Sequence, residues 1–196
     1  QFIENIAAAA TGGAYQPVVR IDGDRCLEES TIPLRGYDGT GMVRIGNDAA
    51  SQVQNDIYGQ IIYALLKLYV DERFPHEPRA TSKRLIATIL RIIERCLEEP
   101  DASLWEFREL KRLHCYTSLC HWVGAKSAQK IARELDDREM RRAATRLTAR
   151  AEGLIEACYD AAKGGYMKEP GSNDVDASAL QLIILNYLDP RYERAI

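Results

Sequence analysis

The chain has 196 residues, of which 46% are hydrophobic and 28% charged, a composition typical of soluble globular proteins. Its formal net charge of −3 and its isoelectric point near 5.7 leave no basic surface for a nucleic-acid partner. No apolar run reaches the roughly 18 residues that a membrane span needs, so we expect no membrane partner.

The cysteines and histidines predict neither a disulfide framework nor a metal site. The cysteines form an odd set without a CxxC motif, and two of them lie on an apolar helical face: Cys26, Cys96, Cys115, Cys120 and Cys158. We expect them to be reduced and buried, as in a cytoplasmic protein. The histidines share no metal-ligand spacing, so we expect neither a metal ion nor another cofactor.

The first third of the chain mixes helix and loop patterns. Residues Phe2 to Ala10 have helical spacing and end at Thr11-Gly12-Gly13, which is typical of a helix terminus. The segment Leu27 to Gly41 is rich in glycine and predicts an irregular loop. Apolar residues at spacings of three and four then predict a helix from Asn47 to Glu72.

Four further helices follow the same logic, and almost no segment predicts a strand. Their expected bounds are Thr81 or Ser82 to Leu97, His114 to Leu135, Asp137 to Tyr159 with closure at Lys163-Gly164-Gly165, and Ala177 to Leu188. The fold class is therefore all-α, built of antiparallel helix pairs. The loops before residues 47, 114 and 177 are long and polar, and a ring of helical hairpins would place them at one end, where we expect the site.

The loop before the third of these helices contains a candidate for acid catalysis. Glu106 stands between the aromatic residues Trp105 and Phe107. A carboxylate flanked by large apolar rings loses water, which disfavours its charged form and is the usual preparation of a general acid. The alternative is a helix cap or a solvated charge.

Several motifs in order resemble glycoside hydrolase family 15, the family of glucoamylases and bacterial trehalases. They are VRIGNDAASQVQNDIYGQ at Val43 to Gln60, PDASLWEFR at Pro100 to Arg108, HCYT at His114 to Thr117, and VDAS with LQLIILNYLDPR at Val175 to Arg191. The resemblance covers essentially the whole chain and is strongest to the bacterial glucoamylase-like branch.

The resemblance implies an (α/α)6 barrel of twelve helices, of which this chain would form about half. Residues 1–196 would be part of a single catalytic domain truncated at both ends. The family hydrolyses α-glucosidic bonds with inversion, using one carboxylic acid to protonate the leaving oxygen and one carboxylate to activate water. Inversion places these two groups roughly 6.5 to 9.5 Å apart.

Site roles follow from the same resemblance. Glu106 matches the general acid, and Leu104 and Trp105 match residues that line the sugar pocket. Arg44 matches an arginine that faces the substrate, and Asp176 matches an acidic residue that supports the pocket from behind. Further possible polar groups of the pocket are Asn47, Asp48 and Asp56.

The sequence also departs from the family pattern. Ser103 replaces a common glycine, Phe107 replaces an acidic residue of fungal glucoamylases, and Met42 replaces a tryptophan. The substrate-clamping Arg-Asp motif of the family lies upstream of this segment, and its catalytic base lies downstream. We therefore expect little or no hydrolysis by these 196 residues alone.

Two classes of function remain open. The first is hydrolysis of terminal α-glucosidic bonds, with glucan ends as the leading substrate and trehalose as the alternative. The second is a non-catalytic sugar-binding or regulatory module. In either case the expected ligand is a small carbohydrate or a glucan end. The expected protein partner is the remainder of the barrel or a second copy of the chain, because half a barrel exposes apolar helix faces.

Overall fold

The computed structural model describes residues 2, 3, 5, 15–25, 27–73, 80–106 and 110–191. The chain divides into two compact units, Gln1–Val53 and Gln54–Ile196. In the first unit, the predicted N-terminal helix is helical at Phe2, Ile3 and Asn5, and its other residues lie outside the described ones.

The first unit contains a two-stranded antiparallel sheet of strands β1 (Ser30–Ile32) and β2 (Val43–Ile45). The sequence predicted only an irregular loop here, because three-residue strands that are mostly exposed show no apolar alternation. After β2, Gly46 adopts φ +84°, and a Cβ there would lie 2.1 Å from the backbone oxygen of Glu28. The close backbone approach therefore requires glycine.

The helix predicted from Asn47 to Glu72 is two elements. The first is a short 3-10 helix, Asp48–Ser51, whose Ala49 N–H donates to the Asn47 side chain at 3.0 Å. The second is helix α1 (Asp56–Val70), which belongs to the second unit. The periodicity missed the break because the apolar spacing continues through Gln52, where the backbone becomes extended.

The second unit is built on three further long helices. They are α2 (Ala80–Cys96), α3 (Cys115–Glu134) and α4 (Arg138–Glu156). Helix α3 packs extensively against both α1 and α4, so most of its residues are buried. Helices α2 and α4 carry an apolar stripe on one face and charges on the other. The predicted all-α class is confirmed, and the bounds of α2, α3 and α4 lie within about three residues of those expected.

Two glycines allow α1 and α3 to cross closely. A Cβ at Gly59 would lie 1.8 Å from the backbone oxygen of Cys120, and a Cβ at Gly124 would lie 2.5 Å from the Cα of Gly59. Any side chain at either position would force the two backbones apart. This contact fixes the start of α1 against α3, where several of the polar residues described below are located.

After α4 the structure differs from the prediction. The helix ends at Glu156, and strands β3 (Tyr159–Asp160) and β4 (Gly165–Tyr166) form a small hairpin, so the predicted glycine closure is a hairpin turn. The predicted helix from Ala177 to Leu188 is a 3-10 turn, Ala177–Leu180, and the four-residue helix α5 (Gln181–Ile184). The backbone leaves the helix before Asn186, which adopts φ 59°.

The core beside this region packs the start of α3 against the end of α4. Its buried members are Cys115, Leu119, Ile155, Cys158, Tyr166 and Leu182. Trp122 packs on the cluster and meets Tyr187 edge-on at 5.0 Å, which confirms its predicted role as a core aromatic. Of the described cysteines, Cys115, Cys120 and Cys158 are buried and Cys96 is half-buried, all with free thiols. In the described ranges no helix is long and apolar enough to cross a membrane.

Candidate active site

Glu106 closes a turn formed by residues 103–106. Its N–H donates to the backbone oxygen of Ser103 at 3.3 Å, and both residues adopt left-handed backbone angles, with φ 49° for Ser103 and 52° for Glu106. Such angles cost non-glycine residues roughly 1 kcal/mol each, so the surrounding structure must hold the turn. The common family glycine at position 103 suits this angle. The Glu106 side chain is exposed, so the described residues do not supply the loss of water that the sequence pattern predicted.

Asp101 anchors the loop that carries Glu106. The backbones of Asp101 and Arg112 form two hydrogen bonds of 3.0 Å, which close the base of the loop. The Asp101 carboxylate is fully buried and accepts hydrogen bonds from the Asn55 N–H at 2.7 Å and from the Thr117 hydroxyl at 3.1 Å. One side chain therefore joins the loop to the start of α1 and to α3.

Burial raises the pKa of Asp101, and the hydrogen bonds from Asn55 and Thr117 partly oppose that effect. Sequence reasoning did not identify this residue as part of the site. The signal available was Pro100-Asp101 at the start of the loop, but its partners are 46 and 16 residues away along the chain.

Trp105 and Asp176, two of the predicted site residues, are joined by a hydrogen bond. The indole N–H of Trp105 donates to Asp176 Oδ2, while Asp176 Oδ1 accepts from the Ser178 N–H at 2.6 Å. The carboxylate thus caps the 3-10 turn at Ala177–Leu180 and fixes the indole edge at the same time. Trp105 is 48% exposed, so part of the residue is accessible to a ligand.

This pair borders a cleft with a volume of about 240 Å³. Its walls are formed by Trp105, Leu110, Arg112, His114, Lys168, Glu169, Asp174, Val175 and Asp176. Lys168 pairs with Asp174, and the Arg112 guanidinium lies 3.6 Å from Glu169, so the charges of the walls are largely compensated. A cleft with an aromatic wall and paired charges suits an uncharged polar ligand better than an ion. Leu104 is partly exposed on the same loop and does not line this cleft.

Asp56 is buried at the start of α1 and does not line the cleft. Only 3% of the residue is exposed, and its Oδ2 accepts from the Gln60 amide at 2.6 Å. Among the described residues no donor reaches its other oxygen, Oδ1. Burial, followed by the nearby charge of Asp101, raises the pKa of Asp56 to about 6.

His121 of α3 lies against the same helix start. Its Nε2–H donates to the backbone oxygen of Asn55 at 2.8 Å, and the ring is fully buried. Burial lowers the pKa of His121 to about 4, so the imidazole is neutral at neutral pH. Sequence reasoning found no role for this histidine, because its partner is 66 residues away.

The three remaining predicted site residues lie in the first unit. Arg44 of β2 pairs with Glu29 at 3.0 Å. Asn47 caps the 3-10 helix that begins at Asp48, and both residues line a polar cleft of about 280 Å³ with Gln16. Their contacts to a sugar therefore stay predictions.

Metal chemistry has no evident ligand set in the described ranges. No group of three or more His, Cys, Asp or Glu residues there could hold a metal ion. The described chemistry is that of carboxylates, amides, hydroxyls and an aromatic platform.

Comparison with known proteins gives a consistent assignment. Residues 1–195 match the sequence model of the family described as glycosyl hydrolases family 15. The chain is 27% identical to a trehalase of Thermoplasma volcanium over 90% of its own length and 28% of that protein. It is 28% identical to a trehalase of Thermoplasma acidophilum, covering 91% of the chain and 30% of that protein. It is 27% identical to a trehalase of Mycobacterium tuberculosis, covering 96% of the chain and 28% of that protein.

The chain thus spans less than a third of the length of these relatives. No solved structure matches it significantly. The family match extends over essentially every residue and includes each motif from which the site was built. The chain belongs to glycosyl hydrolases family 15.

Proposed function

We propose that this chain supplies the general acid and part of the sugar pocket of a glycoside hydrolase that cleaves terminal α-glucosidic bonds with inversion. The observation that carries the proposal is the position of Glu106 in a turn anchored by Asp101, directly after the Trp105 ring that Asp176 holds. An acid adjacent to a fixed aromatic platform is the arrangement that protonation of a glycosidic oxygen needs.

Each side chain has a separate task in this mechanism. Glu106 donates a proton to the leaving oxygen, while Trp105 offers an apolar ring face to the pyranose ring. Asp176 holds that ring in position. The carboxylate that activates water is not assigned to any residue of this chain, and inversion places it roughly 6.5 to 9.5 Å from Glu106.

Trehalose is the substrate that the relatives favour, since the three compared above are described as trehalases. Glucan ends are the second candidate, because the motifs resemble the bacterial glucoamylase-like branch. Both sugars present a terminal α-glucosyl unit, so the same platform and acid serve either one.

The test is hydrolysis by the protein encoded by the complete open reading frame. We expect glucose release from trehalose, with maltose as the comparison substrate. Because inversion changes only the attacked anomeric carbon, NMR should first show equal amounts of β-glucose and α-glucose from trehalose. Glu106→Gln should lower kcat by about 100-fold or more, since it removes the proton donor. Glu99→Gln, an exposed residue that precedes the same loop, is the matched control and should leave kcat unchanged.

The alternative of a non-catalytic module makes a different prediction. Sugar would bind without turnover, and Glu106→Gln would change no rate. Retention of more than about a tenth of wild-type kcat by Glu106→Gln would exclude Glu106 as the acid.

A further inference from the structure

Four side chains form a polar cluster where α1 and α3 cross, which we call the α1–α3 polar cluster: Asp56, Gln60, Tyr116 and Cys120. The Gln60 amide nitrogen is central to it. It donates to Asp56 Oδ2 at 2.6 Å and lies 3.4 Å from the Tyr116 hydroxyl and 4.0 Å from Cys120 Sγ. The short contact to the carboxyl is the strongest of the three.

The cluster has a buried end and an open end. Asp56 and Cys120 are almost completely buried, whereas Tyr116 is half-buried and Gln60 is exposed. The amide nitrogen of Gln60 is directed to the buried end by Asp56. Its carbonyl oxygen is the second polar atom of the same planar group, and no described residue donates to it.

The cluster lies beside the loop that carries Trp105 and Glu106. The Asp101 carboxylate, which anchors this loop, accepts hydrogen bonds from the Thr117 hydroxyl, next to Tyr116, and from the Asn55 N–H, next to Asp56. Neither Tyr116 nor Gln60 lines the Trp105 cleft itself, so a ligand would meet them only where it extends from the platform towards the starts of α1 and α3. The Tyr116 hydroxyl and the Gln60 amide are both neutral, and both can form hydrogen bonds with hydroxyl groups.

Burial of the Asp56 carboxyl lowers the stability of the fold, so we infer that the residue has a function. It is buried next to a second buried carboxyl, Asp101, and one of its oxygens lacks a described partner. The raised pKa of Asp56 reflects this cost. Its one side-chain hydrogen bond orients Gln60, so the residue acts through Gln60 and not by touching a sugar itself.

We propose that Gln60 and Tyr116 form a hydroxyl-binding pair for the sugar substrate and that Asp56 is the positioning residue for the Gln60 amide. The inference rests on the proposed function, because the ligand class is the α-glucoside that the platform and acid would accept. It assigns two binding residues that the sequence motifs did not single out. It also gives the predicted pocket residue Asp56 an indirect role.

The Gln60 side-chain NH2 group is a direct probe for this pair. In ¹H–¹⁵N NMR spectra of the protein encoded by the complete open reading frame, carrying Glu106→Gln so that trehalose stays intact, we expect its two signals to shift saturably on titration with trehalose and to stay in place with sorbitol. Gln129 lies on the far part of α3, and its side-chain amide donates to Thr148 of α4. Its NMR signals are the internal control and should not shift. The Trp105 indole signal reports binding at the platform independently.

Variants separate binding from folding. Gln60→Ala and Tyr116→Phe should each weaken trehalose binding about fivefold, the effect of one lost hydrogen bond. Tyr63→Phe, on the exposed face of α1, is the matched control and should bind as the wild type does. Asp56→Ala should weaken binding as Gln60→Ala does, whereas Asp56→Asn, which keeps an acceptor for Gln60, should restore it. Circular dichroism verifies that each variant is folded.

The outcomes distinguish this inference from the proposed function. A shift of the Trp105 signal without a shift of the Gln60 signals would overturn the hydroxyl-binding pair and leave the hydrolase proposal intact. Unchanged Gln60 signals together with an unchanged Trp105 signal would also overturn it. The hydrolase proposal itself is decided by the rate measurements on Glu106→Gln.

Discussion

Replacing Asp56 by asparagine should make the stability of the protein depend strongly on pH. Burial raises the pKa of Asp56 to about 6, above the value of about 3.9 in an unfolded chain. Burial lowers the pKa of His121 to about 4, below an unfolded value of about 6.5. Both residues contact the start of α1, and they titrate in nearly the same range.

The two residues act on stability with opposite signs. Asp56 favours the folded state below about pH 4, and this contribution is lost as the pH rises through 6. His121 favours the folded state above about pH 6.5, and this contribution is lost as the pH falls through 4. Each pKa shift of roughly two units corresponds to about 3 kcal/mol of unfolding free energy. Between pH 4 and 6 the loss of the Asp56 contribution therefore largely cancels the gain of the His121 contribution.

Asp56→Asn removes one side of this balance and retains an acceptor for Gln60. The free energy of unfolding should then rise by about 3 kcal/mol from pH 4 to pH 6.5, because the His121 contribution is no longer opposed. Asp101, whose pKa burial also raises, acts in the same direction as Asp56 and reduces this rise. His121→Gln should give the opposite slope.

Urea denaturation followed by circular dichroism at pH 4, 5, 6, 7 and 8 measures these profiles. The exposed residue Asp38 offers a control, since Asp38→Asn removes a carboxylate without removing a buried one. Parallel profiles for Asp56→Asn and the wild type between pH 4 and 6.5 would refute the reasoning, whatever their difference in absolute stability.

Three further predictions concern helix packing, a helix glycine and the cap at Asp176. Gly59→Ala or Gly124→Ala should lower the free energy of unfolding by about 3 kcal/mol, because the new Cβ meets backbone atoms of the facing helix. Gly153→Ala on α4 meets no atom within 4 Å and should stabilise by roughly 0.5–1 kcal/mol in the same denaturation assay. Asp176→Ala should cost about 1 kcal/mol from the lost cap and should shift the NMR signal of the Trp105 indole N–H, while an unshifted signal would contradict the hydrogen bond.

The sequence predicted the long helices well because each one has a continuous apolar stripe. Helices α2, α3 and α4 follow the period of 3.6 residues over at least 17 positions. The two hairpins were missed, and the helix that contains α5 was predicted too long, because both depend on backbone contacts that leave no periodic trace. Strands of two or three residues cannot show alternation, and α5 ends where Asn186 adopts a left-handed angle.

The site was only partly accessible to sequence reasoning for a related reason. The motifs pointed to Glu106, Trp105 and Asp176 as site residues, and their roles stay predictions. Asp101 and Gln60 could not, because their roles depend on partners that the fold supplies from Asn55, α3 and Asp56. A motif identifies residues that act on a ligand more readily than residues that hold them in place.

The buried carboxylates suggest why the holding residues are charged. A backbone N–H and a hydroxyl from different elements converge on Asp101, and a neutral acceptor would bind them less strongly. The charge of Asp101 also raises the pKa of Asp56. The carboxylate that anchors the Glu106 loop therefore disfavours ionisation of Asp56, the residue that orients Gln60. The loop anchor and the α1–α3 polar cluster are therefore coupled electrostatically, and a change of the Asp101 charge should alter the titration of Asp56 as well as the position of the loop.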